Sequence, residues 1–124
     1  MNGRKEVSKV EDFLEISSFH FNQMKDSSNN AMWVVIDGYL SIHLLVKALR
    51  VSKNHAAEFD GYLYEGLSGL IDHDGDLSSN LYFLDRTFRK FQTEQKINHL
   101  KFIQCCSAVV EKLNSFLFSN GQVK

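Results

Sequence analysis

The chain has 124 residues, 44% apolar and 12% aromatic, with 23% charged, no proline and a formal net charge of −1. That is enough apolar surface to close one hydrophobic core, and it excludes a wholly disordered chain as well as collagen-like, mucin-like and proline-rich linker classes. The near-neutral total supplies no overall field toward nucleic acid, and the missing proline leaves no ring to break long helices.

Ser8 followed by Glu11 has the spacing of a capping box, and Val10, Phe13, Leu14, Phe21 and Met24 then recur at helical intervals. A first helix is predicted from Ser8 to Lys25. The polar run Asp26-Ser27-Ser28-Asn29-Asn30 ends it and starts the next, because these side chains favour turns and N-caps.

From Ala31 to Ser52, Val34, Val35, Ile42, Leu45, Val46 and Leu49 fill one broad face, which predicts the central helix. Trp33, Leu40, Leu44 and Val51 lie on a second face, suited to a homodimer through helix 31–52. Gly38 falls within the main face, where it would let a neighbour approach closely. Asp37, His43, Lys47 and Arg50 argue against reading this stretch as a membrane span.

A third, weak helix is predicted over Ala56–Ile71, with Phe59, Leu63, Leu67 and Leu70 on one side and Gly61, Gly66 and Gly69 lowering its helicity. Asp72 to Asp76 reads as a tight loop. Asp76 or Ser78 would cap a fourth helix with Leu81, Leu84, Phe88 and Phe91 inward. The last helix is predicted from Lys96 to Phe118, with Ile97, Leu100, Ile103, Cys106, Val110, Leu113 and Leu117 inward and a stop at Ser119-Asn120-Gly121. The expected fold is all-α, a single-domain antiparallel bundle of four to five helices.

Chemical motifs are sparse. Asp72, Asp74 and Asp76 alternate like the opening of a calcium loop, yet Leu77 and Phe83 stand where that motif needs glycine and a bidentate acid. The five histidines never fall at i and i+4, and the adjacent Cys105 and Cys106 point in different directions on a helix. No metal and no cofactor are expected. There is no nucleophile elbow, phosphate-cradling loop or dinucleotide fingerprint. Free thiols and a polar Met1–Val10 stretch point to the cytoplasm.

Arg50 and His55 form an Arg-x4-His spacing at the end of the apolar central helix. Over roughly Ala31 to His55 the chain is similar to HEPN-domain ribonucleases, a helical-bundle family. That resemblance implies a dimer in which Arg50 steadies the phosphorane and His55 handles the proton during RNA cleavage. The chain departs from the family pattern at Val51, often polar there, and carries the motif in its first half. Read from the residues alone, His43, Lys47, Arg50 and Asn54 form the wet stripe of the central helix.

The charge map separates three regions. Residues 1–54 carry +1, residues 55–85 carry −7 with no Lys or Arg, and residues 86–124 carry +5. If the acids of the middle stretch face outward they form a negative surface suited to a basic protein such as a nuclease toxin, the device of immunity and antitoxin-like inhibitors. The candidate partner-binding residues are Glu58, Asp60, Tyr62, Tyr64, Glu65, Asp72, Asp74 and Asp76, the aromatics supplying buried anchors. The opposing reading has these carboxylates paired with Arg86, Arg89 and Lys90. On either reading, neither membrane nor nucleic acid is the expected partner.

Overall fold

The computed structural model describes residues 2–71, 75–91 and 97–121, with side chains described from residue 9 to residue 118 within those ranges. Five helices pack together: α1 (Asn2–Asp26), α2 (Ala31–Ser52), α3 (Leu63–Leu67), α4 (Gly75–Phe91) and α5 (His99–Gly121). Among the described residues there is no strand. The central helix is α2, which touches each of the other four.

α2 has the predicted bounds because the Asn30 side chain accepts a hydrogen bond from the Trp33 N–H at 3.2 Å, satisfying one of the free donors of the first turn. Its main face, Val34, Val35, Ile42, Leu45, Val46 and Leu49, is buried as expected. Gly38 is the close-approach point: an added Cβ would lie 2.8 Å from Met24 Sδ, 2.8 Å from Phe102 Cε1 and 2.9 Å from Cys106 Sγ. α1 and α5 therefore press on α2 at one glycine. Buried Ser17 adds a polar tie, its hydroxyl donating to the Ser41 carbonyl at 2.8 Å.

The second face of α2 is narrower than its periodicity implied. Trp33 and Leu40 are exposed and Leu44 is half-buried, but Val51 is buried at 6% exposure. By length and composition alone α2 could cross a membrane, the charges on it notwithstanding; half of its most apolar window is buried within the fold.

The first and last helices differ from the sequence reading at their ends. α1 begins at Asn2, ahead of the Ser8–Glu11 box, because Arg4, Lys5 and Glu6 are good helix formers and extend it upstream. α5 continues to Gly121 through Ser119 and Asn120. Its N-terminus is fixed by Asn98, whose side chain accepts the Lys101 N–H at 3.1 Å. Its inward seam is Phe102, Cys105, Cys106, Val109, Leu113 and Leu117, whereas Leu100 is 61% exposed. Contact at Gly38 selects Phe102 and Cys106 as the buried side and turns Leu100 outward.

The largest correction concerns the predicted 56–71 helix, which shrinks to the five residues of α3. Asn54 closes α2 at φ +67°, and Gly61 at φ +92° and Gly69 at φ +80° bracket α3 with backbone geometry that no right-handed helix contains. Residues 53–62 are irregular. The fourth helix starts at Gly75, which puts Asp76 inside its first turn. Leu77, Leu81 and Leu84 are buried on its inner face, and Phe88 and Phe91 half-buried.

Candidate functional site

The irregular segment is held in place by the polar stripe of α2. Arg50 directs Nε to the Ala56 carbonyl at 2.8 Å, Nη1 to the Gly66 carbonyl at 3.0 Å and Nη2 to the Glu58 carbonyl at 3.3 Å. One turn earlier Lys47 pairs with Glu58 at 3.3 Å, and His43 lies 4.7 Å from the Phe59 ring. Burial first, then the neighbouring Lys47 charge, holds His43 below the ordinary imidazole value. The stripe expected to be wet is instead the seat of residues 56–66. Gly66 fits because any Cβ would meet Phe59 and Val46 within 2.8 Å.

From the other side α4 supplies Asp85, only 4% exposed. Its carboxylate accepts the Tyr39 hydroxyl at 2.5 Å and the Leu63 N–H at 3.0 Å, linking α2, α3 and α4. Burial pushes this carboxyl above its ordinary value, against the pull of those hydrogen bonds and of Arg89. Glu65 completes the local structure by accepting the Tyr62 N–H at 2.7 Å at the start of α3.

These ties project two tyrosines toward α4. Tyr62, Tyr64, Ser78, Tyr82, Asp85, Arg86, Arg89 and Lys90 line a groove of about 310 Å³. The tyrosine rings are 46%, 46% and 66% exposed in chain order, and the Arg89 guanidinium lies 4.1 Å over the Tyr62 ring. Tyrosine and arginine are the residue types that most often carry binding energy at protein interfaces, because each joins a large flat apolar area to a polar edge. The groove thus sets broad aromatic area beside basic side chains.

The candidate residues fall as follows. Asp60 and Asp76 are exposed, Glu58 is paired with Lys47, and Glu65 caps α3 while remaining exposed. Asp72 and Asp74 lie outside the described residues, as does any loop they share. Tyr62 and Tyr64 stand beside Arg86, Arg89 and Lys90, so the surface around them is of mixed charge, not a cation-free acidic plateau. Among the described residues no ion pair joins Glu58, Asp60, Glu65 or Asp76 to Arg86 or Arg89. His55 is exposed and its N–H donates to the Arg50 carbonyl at 2.9 Å, while the Arg50 guanidinium is directed at three carbonyls.

Residues outside the sequence reading complete the site: Tyr39 and Asp85 beneath it, Tyr82 across it. Asp85 stands four residues after Leu81 and next to Leu84, which puts it on the apolar side of α4, a signal that periodicity carried. The thiols of Cys105 and Cys106 are both raised by burial and sit away from the groove in the α5 seam. Among the described residues no cluster of histidine, cysteine and acid groups is placed to hold a metal ion. In comparison with known proteins, no family model, no curated protein and no solved structure matches the chain.

Proposed function

We propose that this protein works by binding another protein, as a small inhibitor of the immunity or antitoxin kind, and that it docks through the tyrosine groove and the acids around it. The observation that carries this reading is the convergence of Tyr62, Tyr64 and Tyr82 with Arg86 and Arg89 on one groove, with Asp60, Glu65 and Asp76 exposed on the same elements. The acids favour a partner with a basic surface, such as a nuclease toxin. A single antiparallel bundle in the cytoplasm belongs to the same proposal, the latter resting on the free thiols. The ribonuclease reading has less support, because the Arg50 donors serve the backbone of the chain itself.

Site-directed photocrosslinking tests the proposal. With p-benzoylphenylalanine at position 64 or 82, light should yield an adduct with one cellular protein; the same probe at Gln104, exposed on α5, should yield none. Asp60→Asn with Asp76→Asn should reduce the adduct, as should raised salt. Identical adducts from position 104, or none from 64 and 82, would remove the docking role.

A second reading is favoured by a separate observation. Ile16 and Phe19 of α1 and Met32, Trp33, Ile36 and Leu40 of α2 are large apolar side chains left exposed, the residue types that interfaces cover. A homodimeric adaptor through helix 31–52 would cover them. Sedimentation should then give a dimer that Trp33→Glu dissociates, and a wild-type monomer at micromolar concentration would end this reading.

A further inference from the structure

We infer that the groove receives an acidic peptide segment of the docked protein, with a carboxylate held by Arg86 and Arg89 and an apolar neighbour lying on Tyr62, Tyr64 and Tyr82. The inference rests on the proposal that a protein docks here, and it specifies the chemistry of what enters the groove.

Spacing along α4 builds the wall. Ser78, Tyr82, Arg86 and Arg89 recur at four and three residues and so share one helix face, with Lys90 beside the last of them. Charge also changes sign along the helix, although Asp76 lies off that face. Asp76 occupies the first turn of α4 and Arg89 and Lys90 the last. The positive end of the groove is therefore built by side chains near the helix C-terminus, Arg86, Arg89 and Lys90.

Arg89 has the shape a planar anion needs. Its guanidinium rests 4.1 Å from the centre of the Tyr62 ring, so an aromatic surface lies against it, and its N–H donors form a planar fork. That fork matches the two oxygens of a carboxylate. Asp85, although it lines the groove, turns its oxygens to the Tyr39 hydroxyl and the Leu63 N–H, so its hydrogen-bonding capacity is engaged inside the fold. The remaining lining is the three tyrosines with Ser78 and Lys90, and a volume of about 310 Å³ admits one or two side chains. Acid plus apolar neighbour is the complement of basic wall plus tyrosine floor.

Fluorine NMR of the full chain labelled with 3-fluorotyrosine reads this directly, since it contains four tyrosines. The probe is a blocked Gly-Phe-Glu-Glu-Phe-Gly peptide. The Tyr62, Tyr64 and Tyr82 signals should move together and saturate. Replacing both Glu of the peptide by Gln, or Arg86→Gln in the protein, should weaken binding at least tenfold, with an unchanged Tm showing that the variant is folded. No saturable shift at millimolar peptide, or equal shifts from the Gln peptide, would overturn the inference. So would an equal response to inorganic phosphate alone, which would make the groove a small-anion site. Failure here with the position-64 crosslink intact would leave the docking role standing, and loss of the crosslink alone would strike that role and not the groove chemistry.

Discussion

Arg50 Nη1 donates to the Gly66 carbonyl at 3.0 Å, and that bond ties the end of α2 to α3 across an irregular segment. With the Ala56 and Glu58 carbonyls on the same guanidinium, one side chain satisfies three acceptors that the missing helix would otherwise have used. Arg50→Ala is expected to cost about 2 kcal/mol, the value of charged hydrogen bonds discounted for partial exposure. Arg50→Lys should recover little, since one ammonium cannot reach three carbonyls. Urea unfolding of the two variants checks this, and wild-type stability in both would show that the clamp contributes nothing.

Asp85 gives a pH signature. Its folded-state pKa lies above the ordinary carboxylate value of 3.8, with burial as the leading cause. The native state thus holds the proton more tightly than the unfolded chain. This group's contribution is greatest below 3.8 and declines as pH rises from there through the folded-state value. Asp85→Asn removes that decline, so the stability of wild type relative to Asp85→Asn should fall between pH 3.5 and pH 7 in urea titrations. Asp85→Ala should be worse at every pH, by ~1–3 kcal/mol, because the Tyr39 hydroxyl and the Leu63 N–H lose their acceptor.

Gly38→Ala sets two effects against each other. Alanine gains about 1 kcal/mol in helix propensity, but its methyl meets Met24, Phe102 and Cys106 below 3.0 Å. Overpacking of a filled core costs ~1–3 kcal/mol. Net destabilisation is expected, greater for Gly38→Val, and calorimetry of the two variants reads it. A stabilised Gly38→Ala would show that α1 and α5 can yield at this point.

Both cysteines should react slowly in the native protein. Burial raises Cys106 strongly, with adjacent Cys105 adding to the effect, and raises Cys105 less, with Lys101 opposing. Thiolate is the reactive form, so iodoacetamide at pH 8 should label the native protein roughly 100-fold more slowly than the urea-unfolded chain. Cys105 should react before Cys106. Fast native labelling would place the α5 seam in solvent.

Much of the fold was legible in the sequence. The bounds of α2 followed from Asn30 and the apolar face from Val34 to Leu49, because local capping and helical periodicity act within one element. What periodicity could not supply was competition between elements. Nothing around Leu100 shows that α5 will be rotated by contact at Gly38, and the apolar spacing of Phe59, Leu63 and Leu67 hid a segment that positive-φ glycines and an arginine from another helix hold out of helical form. For the candidate site, Tyr62 and Tyr64 were readable as anchors, and the acids as a charge excess. Tyr82 entered only with the packing of α4 against the 53–67 segment, which also set Arg86 and Arg89 beside the tyrosines and buried Asp85 as a tie.

The tyrosine groove exists only if the 53–67 segment is fixed from beneath, and amide hydrogen exchange at Leu63 measures that most directly. Its N–H is donated to a buried carboxylate at 3.0 Å although it opens a helix of only five residues. Exchange should be slow in the wild type, close to the rate of global unfolding, and faster by at least an order of magnitude in Asp85→Ala. Exchange at the rate of an open loop in the wild-type protein would contradict a preformed tyrosine wall.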